Sequence, residues 1–140
     1  MKKLLGVIVL GLLWCSTSYS NIIMQDLINA LVETKKPKSI EVANNLKSTG
    51  DNDKSYDLVI RKANLNIKDA KNIATAIKKI DQNKGPQLGT ISMSFNEDLK
   101  DEGVITLLNH IPLTTSVIAF VECGITDKAG QAIIDWAAKT

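Results

Sequence analysis

Few residues in this 140-residue chain stand out by type and spacing as candidates for covalent or acid–base chemistry. They are the single His110, the cysteines Cys15 and Cys123, and the acid pairs Glu97–Asp98 and Asp101–Glu102. Nucleophilic catalysis needs a nucleophile, a base and an orienting group brought together. His110 stands in "LLNHIP" at the end of a helical pattern, near the negative end of the helix dipole. Cys123 follows a strand pattern, which places it at the opposite end of a strand–helix unit from His110. The acid pairs fit turns and helix starts better than a catalytic dyad. Asp51, Asp53 and Ser55 alternate as in a twelve-residue calcium loop, but Tyr56 stands where Gly is needed and Lys62 where the closing Glu should be. No phosphate loop, paired-Cys metal motif or dinucleotide fingerprint occurs. The expectation is therefore no catalytic residue, no metal ligand and no cofactor: a binding module, not an enzyme.

The opening "MKKLLGVIVLGLLWCSTSYS" has two lysines, an apolar run from Leu4 to Trp14, and small residues at Ser18 and Ser20. That is the layout of a secretory signal peptide, residues 1–20, cleaved near Ser20–Asn21. The run is shorter than the ~20 residues a membrane-spanning helix needs, and Trp14 before Cys15 argues against a lipidated cysteine. The expected product is exported, periplasmic or secreted, with no stable membrane anchor after cleavage. Losing Lys2 and Lys3 leaves fifteen basic against fifteen acidic residues. A nucleic-acid binder keeps a clear basic excess, so that class is set aside. Charge is nevertheless uneven: Arg61 to Lys84 holds seven basic and two acidic residues, whereas Gly85 to Thr140 is net acidic. Cys123 alone remains after cleavage, and its safest place in an oxidising compartment is the interior.

The elements that must position any site come from a repeat. Sliding residues 88–111 against 115–137 puts Ile91 on Ile118, Met93 on Phe120 and Asn96 on Cys123. After a one-residue slip, Leu99 and Asp101 meet Ile125 and Asp127, and Leu107 and Ile111 meet Ile133 and Ala137. An earlier copy uses Leu58 and Ile60 as the strand pair, Ala63 in the Asn or Cys position, and Ile73 and Ile77 on the helix. Each copy reads as a short strand with one buried face, a turn whose Asp can open a helix, and an amphipathic helix. Units of that kind in series give parallel strands with the helices on one side.

"LGTISMSFN" fits the pattern L-x-x-L-x-L-x-x-N through Leu88, Ile91, Met93 and Asn96. "SVIAFVECGITDKAG" carries Cys in place of Asn, followed by a short apolar-Thr-Asp turn. On these residues the segment 57–140 resembles a leucine-rich repeat protein of the ribonuclease-inhibitor-like subtype. The resemblance implies an α/β fold, a short solenoid of strand–turn–helix units with a parallel sheet on one face and helices on the other. It departs at Ala63, at Thr115 in the place of Leu88, and in the longer turn after Asn96.

Residues 21–56 are expected to form an N-terminal helix, "NIIMQDLINALVETKK", and an irregular capping region. Within it "KSIEVANNL" reads as a strand with Ile40 and Val42 inward, or as a helix from Ser39 to Leu46. A solenoid's partners meet its strand face. Alternation assigns that face to Val59, Arg61, Ser92, Ser94, Ala119 and Val121, joined by Lys62, Phe95 and Glu122 at the next position along. Phe95 is the expected anchor, with Lys62 and Glu122 fixing orientation; its alternative place is the core beneath the loop. A protein partner is expected, and a homodimer through the open strand edge near Val117–Val121 is a further option. The competing reading is an ordinary open α/β domain, resembling a STAS-like module, serving a structural or regulatory role in a larger assembly. That reading requires crossed-over strand order and helices on both faces.

Overall fold

The structure, a computed structural model, describes residues 22–140; the signal-peptide reading of residues 1–20 lies outside them. The described chain is mixed α/β, with five helices and a three-stranded parallel sheet. In chain order these are α1 (Ile22–Glu33), α2 (Pro37–Leu46), β1 (Ser55–Val59), α3 (Ile67–Gln82), β2 (Gln87–Ser92), a 3-10 turn (Glu97–Leu99), α4 (Lys100–Leu108), β3 (Val117–Ala119) and α5 (Asp127–Ala137). None of these helices is long and apolar enough to cross a membrane.

Strand order follows chain order, β1-β2-β3, with no crossover. Leu58 pairs with Ile91 and Ile91 with Ile118, the residues that the internal alignment superposes. The helices keep the same order: α1 packs on α3, α3 on α4 and α4 on α5. Along β1, Tyr56 and Leu58 are buried while Ser55, Asp57 and Val59 are exposed. One face of the sheet is thus covered and the other is open. Between the sheet and the helices lie Leu58, Ile60, Leu65, Ile73, Ile77, Ile91, Met93, Leu99, Val104 and Leu107, all essentially inaccessible. Each such side chain contributes about 1.5–3 kcal/mol by its burial.

The turns explain the spacing of the copies. In β1 and beyond it, Leu58 and Ile60 point inward and Val59 and Arg61 outward. Simple alternation would then turn Lys62 inward and Ala63 outward. Instead Lys62 takes φ of 53°, so that Lys62 stays outward and Ala63 is buried. Phe95 (63°) and Glu122 (51°) repeat this left-handed step before the buried Asn96 and Cys123. None of the three is glycine, and a left-handed non-glycine residue costs about 1–2 kcal/mol. The extra residue after Asn96 is taken up by the 3-10 turn, which brings Leu99 into the core place held by Leu65 and Ile125 in the other copies.

The structure decides two points that the sequence left open. "KSIEVANNL" is helical: Lys36 is extended, Pro37 starts α2, and Ser39, Ala43 and Leu46 form its buried face. The strand reading failed because two of the three buried residues, Ser39 and Ala43, are small, while the more apolar Ile40 and Val42 are only half-buried. The capping region is consequently two packed helices, α1 against α2. Secondly, Asp101 opens a helix, but not its own. Its Oδ1 accepts the N–H groups of Thr126 and Ala129, and its Oδ2 accepts the Thr126 hydroxyl at 2.6 Å. It therefore caps α5 from the first turn of α4. Helix α3 carries a local capping box, with Asn66 Oδ1 accepting Asp69 N–H and Asp69 Oδ2 accepting Asn66 N–H.

Candidate functional site on the open sheet face

The site is built outward from Asn96, which is wholly buried. Its Oδ1 accepts the N–H groups of Ala63 and Leu65, both at 3.0 Å. Its Nδ2 donates to Ile60 O at 2.8 Å and Met93 O at 2.7 Å. One amide thereby satisfies backbone groups of its own turn and of the preceding one, where the chain bends away from the sheet. Cys123 holds the same place one copy later, with its Sγ 3.2 Å from Met93 O. Burial pushes its thiol pKa up, against the smaller opposing effect of the Asn96 and Phe95 backbone N–H groups. The thiol is therefore inaccessible and held in its protonated form, which suits packing and not nucleophilic attack.

Above this buried row the strand ends present two outward rows: Arg61, Ser94 and Val121, then Lys62, Phe95 and Glu122. The ladder runs on beneath them, with Lys62 N–H donating to Ser94 O and Phe95 N–H to Val121 O. Val59 (46% exposed) and Val121 (57%) stand clear of the sheet, as do Arg61, Lys62 and Glu122. Ser92 and Ala119 are half-buried. Ser94, expected on the surface, is buried: a short side chain between taller neighbours, its Oγ accepting Val121 N–H at 3.2 Å.

Phe95 does not belong to the buried core cluster; it is half-buried on the outer side. Arg61 Cζ and Lys62 Nζ each lie 5.1 Å from the centre of its ring, within reach of a cation–π attraction. The sequence signal for this cluster was the doubled outward position, x-x, before Ala63, Asn96 and Cys123. What the sequence did not reveal was that the left-handed steps would bring two cations of one copy onto the aromatic ring of the next.

Three ion pairs join the helices and their ends among the described residues. Lys36 meets Asp69 at 2.6 Å, Lys71 meets Glu102 at 2.6 Å, and Lys79 meets Asp26 at 2.8 Å. Hydrogen bonding and attraction from Lys71 hold the Glu102 carboxyl below its usual range. The Asp51 carboxylate accepts the Ile22 and Ile23 N–H groups, and Asp53 accepts Gly50 N–H, so both acids of the calcium-like loop serve the backbone. His110 lies in the turn after α4 with Nδ1 2.8 Å from Thr106 O, remote in sequence and in its contacts from Cys123. A groove of about 400 Å³ runs between the ends of α4 and α5, lined by Leu108, Ile111, Leu113, Ala132 and Trp136.

Comparison with protein-family models, with curated proteins and with solved structures finds no match to this chain.

Proposed function

We propose that the protein is a non-catalytic exported binding module whose three strand–helix copies are leucine-rich-repeat-like units, and that it binds a protein partner through the open strand face. The observation that carries this reading is the outward row Lys62–Phe95–Glu122, set by three left-handed residues and backed by Asn96. A half-exposed aromatic ring among exposed charged and aliphatic neighbours is the composition of a contact centre. Sequential strand order and consecutive helix packing favour this reading over the open α/β, STAS-like alternative with its crossed strands. Export rests on the lysines and apolar run of the first twenty residues.

The test is capture from the exported fraction with wild-type protein and with Phe95→Ala. A partner retained by wild type and lost by a Phe95→Ala variant of unchanged melting temperature supports the reading. Equal retention by both places the contact elsewhere. The outer edge of the stack suggests a second copy as an additional partner: among the described residues β3 pairs on one side only, and Val117, Val121 and Ile134 are 50%, 57% and 62% exposed.

A further inference from the structure

The open face carries charge that the chain itself leaves unanswered. Arg61 is the only arginine in the sequence. Its guanidinium and the Lys62 ammonium converge on one ring, each 5.1 Å from its centre and so at most twice that distance apart. Neither is in an ion pair among the described residues, although the chain places three lysines against carboxylates elsewhere. Two like charges gathered over a half-buried ring repel each other, and the ring quadrupole offsets only part of that. Glu122 sits in the same outward row two strands away, about 10 Å at the usual strand spacing, and is likewise in no ion pair among the described residues. At the strand ends, charge therefore runs from doubly positive at the first copy, through an aromatic ring, to negative at the third, with Asp57 further back on the open side of β1.

We infer that the Arg61–Lys62–Phe95 cluster receives a carboxylate side chain of an acidic peptide segment, whose adjoining apolar residue lies against Phe95 and Val121. This inference rests on the strand-face reading above and specifies its partner. A carboxylate matches the guanidinium fork in two parallel hydrogen bonds, and Lys62, drawn to the same ring, adds a further donor. A polyanion such as nucleic acid is disfavoured by the acidic residues nearby. Glu97, Asp98 and Glu122 are exposed on the adjoining turns and would face successive phosphates. Glu122 instead gives the peptide a direction, with its acidic group over the first copy and any basic group toward the third.

The test uses a random peptide library displayed on phage and selected on the wild-type protein. Selected peptides are expected to carry Asp or Glu beside an apolar residue. Arg61→Glu combined with Lys62→Glu should weaken them on the order of tenfold or more, and replacing the peptide's acid by Lys should restore binding to that double variant. Both substitutions are on exposed side chains, and an unchanged melting temperature verifies that the fold is kept. Enriched peptides without an acid that still require Phe95 would overturn this inference and leave the strand-face reading standing. A single-stranded oligonucleotide that binds as tightly as the best peptide would overturn it in favour of a polyanion site. No enrichment at all on wild-type protein would overturn both readings.

Discussion

Asn96 Oδ1 accepts the backbone N–H of Ala63 at 3.0 Å across two copies of the repeat. The same amide closes three further bonds, to Leu65, Ile60 and Met93, in a site with no access to water. Four backbone groups that have no sheet partner are thus satisfied by one side chain, and the turns of the first two copies are held in register by it.

Asn96→Ala should therefore cost about 3–5 kcal/mol, because it leaves several buried donors and acceptors unmade as well as a cavity. Chemical denaturation measures this directly. Asn96→Asp keeps one acceptor but sets a second oxygen against the carbonyls of Ile60 and Met93. Its defect should grow as pH rises through the carboxylate range, since the buried acid is stable only when protonated. A loss below about 1 kcal/mol for Asn96→Ala would mean that the amide is replaceable by water.

The fold was legible where copies share a rule and obscure where they do not. Leu58, Ile91 and Ile118 were aligned correctly because each must enter the same core from the same register position of its strand. Helix α2 was obscure because Ser39 and Ala43, the residues that face inward, carry little hydrophobic signal. Ser94 was misplaced because alternation describes direction and not the height of neighbouring side chains. The convergence of Arg61 and Lys62 on Phe95 depends on backbone steps that the residue types at 62, 95 and 122 do not announce.

Acid should weaken the joint between the last two helices. Hydrogen bonding from Thr126, first through its hydroxyl and then through its N–H, holds the Asp101 carboxyl below its usual range. A depressed folded pKa contributes stability that is full above the unfolded value and is lost as pH falls through the folded one. The melting temperature of wild type should thus fall between neutral pH and about pH 3. Asp101→Asn should begin lower and fall less over the same window. Glu102 titrates in the same region, so the difference between the two proteins, not the wild-type slope, reports Asp101. Parallel curves would show that the carboxylate does not couple α4 to α5.

Thr115 occupies the position that Leu88 holds in the preceding copy, is 4% exposed, and its hydroxyl has no hydrogen-bond partner among the described residues. Thr115→Val removes that orphan at nearly constant volume. It should stabilise the protein by about 1 kcal/mol and raise the melting temperature by roughly 3–5 °C. A drop on substitution would mean that the hydroxyl is hydrogen-bonded in solution.

Gly124 combines φ of 66° with a position where an added Cβ would stand 2.2 Å from Glu97 O. Gly124→Ala must move backbone in one of two stacked turns and should cost about 3 kcal/mol or more. Gly130→Ala, in α5 with nothing near the added carbon, should instead gain up to about 1 kcal/mol. Similar effects from both would contradict the close stacking of the second and third turns.

The central claim is that the open strand face around Phe95 is where a partner docks. Amide chemical-shift mapping with the best selected peptide tests it most directly. The account predicts that the largest changes fall at Val59, Arg61, Lys62, Phe95, Val121 and Glu122, with α3 and α5 undisturbed. Changes concentrated instead along the groove between α4 and α5, at Leu108, Leu113 and Trp136, would contradict it.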